Sequence, residues 1–300
     1  MNLHDLLSLS DSINVFNLVV MDSVIAYFSD MPSAHRSLLL VGGLTFFFLM
    51  ENVIPFFKME YHRGKHALIN IFFTVTTVIV NFSMAFLLLW SADFVVANQV
   101  GLLQWVELPL WLQGLVGLLL MDLLAAYTPH WVQHHVKWMW MFHIVHHTDQ
   151  DVDTTSANRH HPGESVIRFA FTLAAVYIVG APVWVVFIYQ TASLVLTQFN
   201  HANIRMPKWL NSVMVSVLCT PDMHRVHHHY RQPYSDTNYG NIFSFWDRIF
   251  GTYAVVDNAK LKYGVDTYMD EKKVNNIWEL LKVPFQGYRA RIEYDAKEDL

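Results

Sequence analysis

The chain has 300 residues, 53% of them apolar and only 15% charged. Average soluble domains carry about 25% charged residues, so this balance excludes an ordinary water-soluble domain and points to a polytopic membrane protein. A net charge of −5 offers no basic surface for nucleic acid, and the single cysteine, Cys219, excludes a disulfide framework and a cysteine-only metal site.

In chain order, residues 1–12 hold His4, Asp5 and Asp11 but no Lys or Arg, so no cleavable signal peptide is expected. Residues 13–28 are apolar but short and interrupted by Asp22, which predicts an interfacial helix rather than a span. Residues 37–57 are long enough to cross a bilayer at about 20 residues per crossing, and Glu51 within them should face protein or the interface. A second span is predicted over 67–90, closed by an interfacial Trp90, and a third over 108–126, beginning at Pro109. Residues 165–199 are nearly all apolar, but Gly180-Ala181-Pro182 interrupts them. Proline inside a helix removes a hydrogen bond and clashes with the preceding turn, so two helices joined by a sharp turn are expected. The organisation expected is membrane helices over 1–107, a histidine-bearing unit over 108–253 and a cytoplasmic tail over 254–300.

Basic residues set the orientation. The loop after the first span carries Lys58, Arg63 and Lys65, whereas residues 1–35 and 91–107 have no Lys or Arg. By the positive-inside rule the 58–66 loop is cytoplasmic, and so are the segment after the third span and the C-terminal third.

Histidine is the anomaly. Thirteen of the seventeen lie between His130 and His229. His130 and His134 form HxxxH; His143, His146 and His147 form HxxHH; His224, His227 and His228 form a second HxxHH. Positions three and four apart share a helix face, so each motif presents its imidazoles together. Thr128 is expected to cap a fresh helix at Pro129. An ion takes about four to six ligands, so the eight imidazoles suffice for two ions, and His161 and His201 would raise the number to ten. Imidazole suits zinc, iron, copper and nickel alike, so spacing alone does not choose the metal. No HExxH and no pair of helical ExxH motifs is present, which excludes a zincin protease and a soluble carboxylate-bridged bundle.

Several stretches together resemble the fatty acid hydroxylase / sterol desaturase superfamily of integral-membrane di-iron oxygenases. MWMFHIVHHTDQDVDTTSANRHHP (139–162) resembles the family's block of Trp, HxxHH, an acidic loop and Arg-x-His-Pro, with Arg159, His161 and Pro162 in the last positions. FNHAN (199–203) is similar to the family's lone His followed two residues later by Asn, TPDMHRVHH (220–228) to its third box, and NYGNIFSFWDRIFGTY (238–253) to its closing signature. Glu51 with Pro55 and His66 with Asn70 are weaker echoes. Two features depart from the pattern: Trp131 follows the first ligand position where the family has Arg, and Asp122 and Tyr127 stand one residue off the usual spacing.

The resemblance implies an all-α fold: a polytopic membrane helical bundle with a cytoplasmic histidine-rich cap holding two metals. It implies ligands at His130, His134, His143, His146, His147, His201, His224, His227 and His228, with His161 a further candidate. It implies two irons, with zinc a substitute in purified protein, and dioxygen-dependent hydroxylation or desaturation of a lipid C–H bond. The chain carries no flavin, nicotinamide or haem module, so electrons are expected from a reductase, cytochrome b5 or ferredoxin. Asp222, Asn203 and Asp149 are candidates to support the ligands, a solvated acidic loop being the plain alternative for Asp149, Asp151 and Asp153. Trp138 and Trp140 read as interface anchors, and Trp246, Asp247 and Arg248 as an ion-pair and packing motif. The reading from a different class is a zinc-dependent membrane hydrolase or a metal transporter using the same histidines.

Overall fold

A computed structural model describes residues 19–290 and 292. Every regular element among the described residues is helical, and the only β-type contacts there are isolated bridges such as Pro55 with Ile204. Helix α1 covers Val19–Ser29, the described part of the segment expected to lie at the interface. Helix α2 runs over Ser33–Val53 and α3 over Arg63–Ala97, with a short α4 at Leu102–Trp105. Then come α5 (Leu110–Asp122), a π-helical turn (Leu123–Tyr127) and α6 (Thr128–His135). Among the described residues, four helical stretches are long and apolar enough to cross a membrane: Ser33–Val53, Arg63–Trp105, Leu110–His135 and Pro162–Val179. Their outer faces are bare hydrocarbon; Phe82 and Phe86 are 81% and 80% exposed. Such surface is costly in water and at home in lipid, where helices satisfy their own backbone. The chain is therefore an integral membrane protein.

The apolar run of 165–199 is a hairpin. Helix α8 (Pro162–Val179) ends at Gly180, whose φ of 68° places it in the left-handed region, and α9 (Val183–His201) returns after Pro182. A side chain at Gly180 would also strike the carbonyl of Val100 at 2.5 Å. The turn needs glycine for both reasons.

The expected break at Thr128 is absent. Thr128 has helical φ and ψ, and the chain passes from α5 to α6 without a fresh start. Pro129 has no N–H to offer, and the π turn before it accommodates the loss while absorbing one extra residue. That extra residue accounts for the one-residue offset of Asp122 and Tyr127. Upstream of the turn the buried Asp122 accepts from the backbone N–H of Ile242 and Phe243 and from Trp246 Nε1; downstream, His130 and His134 face the histidine groups.

The ends of α2, α3, α6, α8 and α9 meet at one side of the bundle and carry the cap. It contains α7 (Lys137–His147), a 3₁₀ turn (Thr154–Asn158), α10 (Lys208–Met214), α11 (Pro221–His227) and α12 (Phe245–Ile249). Two further short helices, α13 (Glu271–Val274) and α14 (Ile277–Lys282), close the described chain. Val265, Tyr268, Leu280 and Val283 pack on Ile69 and Phe73 of α3 and on Trp140, Met141 and Ile144 of α7, so this C-terminal segment braces the cap.

Buried polar groups tie cap to spans. Glu51 is fully buried and accepts from the backbone N–H of Thr154 (2.7 Å) and Asn203 (2.9 Å) while pairing with Arg63 at 2.5 Å. A lone carboxylate in a span would be costly; this one is paid for by three donors. His66 lies between Asp149 (2.8 Å) and Asp153 (3.2 Å), and Asn70 donates to Asp149 and Thr155. Burial alone would raise the Asp149 carboxyl, but His66 and Arg159 outweigh it and hold it well below the usual carboxylate range. Asp149 and Asp153 of the acidic loop are therefore not solvated, whereas Asp151 between them is half-buried. Asp153 caps the 3₁₀ turn and Asp149 is locked to α3.

Candidate metal centre

The histidine motifs converge into two buried groups. His130, His134, His143, His147 and His227 form the first; His146, His201, His224 and His228 form the second. Within each group one ring nitrogen per residue lies within 4.8 Å of all the others. The Nε2 atom of His147 is 3.2 Å from those of His134 and His143, and Nε2 of His201 is 3.2 Å from those of His146, His224 and His228. A tetrahedral site with metal–nitrogen bonds of about 2.0–2.1 Å has edges of about 3.3 Å, so these spacings fit imidazoles converging on one ion.

Helix geometry explains the division. A helix advances about 100° per residue, so positions i and i+4 diverge by about 40° and adjacent positions by about 100°. His143 and His147 therefore serve one group while His146, beside His147, points to the other. The α11 box does the reverse: His224 and His228 join the second group and His227 the first. Each HxxHH was expected to present one face; instead each lends a pair to one group and its middle histidine to the other. That crossing holds the two groups side by side.

Acceptors behind the rings fix their tautomers. The Nδ1–H of His130 donates to the Tyr239 carbonyl (2.8 Å), that of His227 to the Thr237 carbonyl (2.7 Å), and that of His201 to the Thr197 carbonyl (2.8 Å) and Asn200 Oδ1 (2.7 Å). His134 Nδ1–H donates to Asp236 (3.0 Å) and His143 Nδ1–H to Glu164 (2.7 Å). Each of these rings then presents a lone pair at Nε2. Crowded lone pairs repel unless a cation lies between them, and His130 Nε2 is buried with no hydrogen-bond partner. The donor set thus fits a divalent transition metal in each group. The acceptors also make the rings better ligands. Replacing Glu164 with Gln should weaken metal binding at the first group by about 10–100-fold; competition against a coloured chelator measures it, and unchanged affinity would remove Glu164 from this role.

Burial pushes the imidazoles of His143, His146, His147, His224 and His228 below their ordinary 6.5, and neighbouring rings push them further. They are neutral, the form a metal needs. In the unfolded chain the same groups take up protons as pH falls through 6.5, whereas in the fold they do so only at lower pH. The unfolded state then binds more protons, so metal-stripped protein should lose stability below about pH 6.5. Equal melting temperatures at about pH 7.5 and about pH 5.5 would contradict this.

Several expected residues lie elsewhere. His161 joins neither group: it caps α8, with Nδ1 accepting from the Gly163 N–H (3.0 Å) and Nε2–H donating to the Leu281 carbonyl (3.3 Å). Both ring nitrogens are occupied. Asp149 holds His66 rather than any grouped histidine; Asp222 pairs with Arg225 at 2.5 Å; Asn203 bonds the backbone of Phe57. The carboxylates that do support the rings, Asp236 and Glu164, lie in no recognisable spacing with them, although Glu164 follows the Arg-x-His-Pro run directly. Trp140 is no interface anchor but a buried wall, its ring centroid 4.9 Å from that of His134 and 5.4 Å from that of His147. Asp247 does not pair with Arg248; it accepts from the N–H groups of Tyr239 and Gly240, which positions the strap carrying the His130 acceptor. His160 stacks on His146 and places Nδ1 3.0 Å from Glu164.

These features define an all-helical integral membrane protein whose cap carries two imidazole-only groups able to hold metal ions. Comparison with known proteins points to a family. Residues 114–252 match the model of the fatty acid hydroxylase family, which supports the resemblance of this region to the fatty acid hydroxylase / sterol desaturase superfamily. It is 30% identical over 163 residues to alkylglycerol monooxygenase of Homo sapiens, covering 52% of this chain and 32% of that protein. It is 26% identical over 150 residues to an ornithine lipid hydroxylase of Rhizobium tropici, covering 50% and 43%. To methylsterol monooxygenase 2-2 of Arabidopsis thaliana it is 24% identical over 241 residues, covering 76% and 89%. The chain thus spans less than half of the first two relatives. No solved structure matches it.

Proposed function

We propose that this protein is a membrane-bound di-iron oxygenase that hydroxylates an unactivated C–H position of a lipid. The observation that carries the reading is the pair of buried imidazole-only groups at the ends of membrane spans. The names of the relatives, monooxygenase and hydroxylase, support the reaction class. The ligands we assign are His130, His134, His143, His147 and His227 for one ion and His146, His201, His224 and His228 for the other. Iron held there supplies activation of dioxygen. The protein's part is to keep the imidazoles neutral and aimed, to wall the site from water with Trp140 and Tyr239, and to let a lipid reach it without crossing the aqueous phase.

The unit over 108–253 is the catalytic one in this reading, with the membrane helices of 1–107 before it and the bracing segment of 254–300 after it. The basic 58–66 loop supports a cytoplasmic position for the centre. Electrons come from a separate reductase, cytochrome b5 or ferredoxin. The test is comparative lipidomics under 18O-labelled dioxygen with wild type and His146→Ala. A lipid that gains one labelled oxygen only in the wild type supports hydroxylation. A product that loses two hydrogens without label indicates desaturation, and a lipid change independent of dioxygen would favour a metal-dependent hydrolase.

A further inference from the structure

Inside the span Pro162–Val179 one cation has no partner among the described residues. Arg168 lies on α8, four residues deeper than Glu164. Positions four apart share a helix face about 6 Å apart along the axis. Glu164 touches His143, so Arg168 stands on the same face, one turn toward the membrane from the first histidine group. Its charge reaches both groups. His143 is lowered chiefly by burial and further by His160 and Arg168, and Arg168 also lies within electrostatic reach of His130, of His201 and of the buried Tyr189 on α9. Yet its guanidinium makes no ion pair or hydrogen bond among the described residues, in contrast to Arg63, Arg159, Arg225 and Arg248, which all reach oxygen atoms. Arginine within a membrane span is costly and is normally matched by a carboxylate, a carbonyl or a ligand.

A second polar group beside the same centre also lacks a partner. Gln133 follows His130 by three positions on α6, is fully buried, and neither atom of its amide is hydrogen-bonded. An unmet buried amide destabilises the fold, and a ligand with oxygen acceptors and donors would offset that cost.

We infer that Arg168, with Gln133 beside the same histidine group, receives an anionic headgroup, a phosphate or carboxylate, of the lipid substrate. This deepens the oxygenase reading and rests on it for the word substrate. Guanidinium forks match phosphate and carboxylate oxygens in geometry as well as charge. A headgroup held one turn from the metal centre brings the carbons nearest to it, not the far end of an acyl chain, to the reacting position. The substrate class is then an anionic lipid oxidised close to its headgroup.

Binding of two probes of equal chain length tests this, using the full chain, metal-loaded and anaerobic, in nanodiscs of zwitterionic lipid. Hexadecyl phosphate should bind about 10–100-fold more tightly than hexadecanol, the difference a charge-assisted hydrogen bond makes. Arg168→Gln should abolish that preference and leave hexadecanol binding unchanged, which also reports that the variant is folded; Arg168→Lys should keep part of it. Wild-type protein that binds the two probes equally overturns the proposal without recourse to any variant. So does a preference that survives Arg168→Gln, or inorganic phosphate that competes as well as the alkyl phosphate, which would assign the site to a free anion. The oxygenase reading is tested separately: absence of a labelled lipid product would sink that reading and leave an Arg168-dependent preference standing.

Discussion

Replacing His201 with alanine is expected to empty one of the two metal positions and reduce product formation below detection. His201 is the hub of the second group, its Nε2 3.2 Å from those of His146, His224 and His228. Among the described residues it is also the only member of that group whose Nδ1–H is held by acceptors, the Thr197 carbonyl and Asn200 Oδ1. Without it, three imidazoles remain from two helices, with nothing to brace them across the hairpin. Metal analysis of the purified variant should fall from about two ions per chain to about one, because the first group keeps its five rings. His135→Ala serves as the control: that exposed ring donates to the Trp131 carbonyl and lies in neither group. Full metal content in His201→Ala would remove His201 from the ligand set.

The second large effect concerns a residue that touches no ligand ring. Arg159 is completely buried. Its guanidinium donates to Asn70 Oδ1 (3.0 Å), to the Val274 carbonyl (2.6 Å) and more weakly to the Val145 carbonyl (3.3 Å), and it lies 3.8 Å from Asp149. One side chain thus joins α3, α7, the acidic loop and the C-terminal segment. Arg159→Met strands the Asp149 charge and leaves buried acceptors unmet, a change expected to cost about 3–5 kcal/mol. Arg159→Lys keeps the charge but cannot fork to the separated acceptors, so it should recover only part of the loss. Thermal unfolding in detergent, with and without metal, measures both variants. A melting temperature within experimental error of wild type for Arg159→Met would refute the network. Arg159 bonds the Val145 carbonyl and, at 3.5 Å, Thr148 Oγ1, which flank the proposed ligands His146 and His147, so metal retention should fall together with stability.

Much of the architecture was legible because it depends on local rules. Spans follow from apolar length, the hairpin from Gly180-Ala181-Pro182, and the burden on Glu51 from the cost of a carboxylate in lipid. The π turn was foreshadowed only as a one-residue offset, since a bulge leaves no compositional mark. Eight of the nine grouped histidines could be found because three motifs repeat helical spacing; His201 stands outside them and was reached through the family resemblance. His161 misled because it neighbours the motifs and carries the right ring, yet a proline-started helix needed a cap there and used its nitrogen. Asp236 and Glu164 were missed because they support rings across 102 and 21 residues of chain, distances over which spacing says nothing.

The sequence by itself determined that this is a helical membrane protein with enough imidazoles for two ions, since hydropathy and i, i+4 spacing act within single elements. Only the tertiary structure decided how the imidazoles divide. His146 and His147 are neighbours in the chain and serve different groups because a helix turns by about 100° between them. Which carboxylate stands behind which ring, and that Arg168 is left without one, are matters of packing between helices remote in sequence.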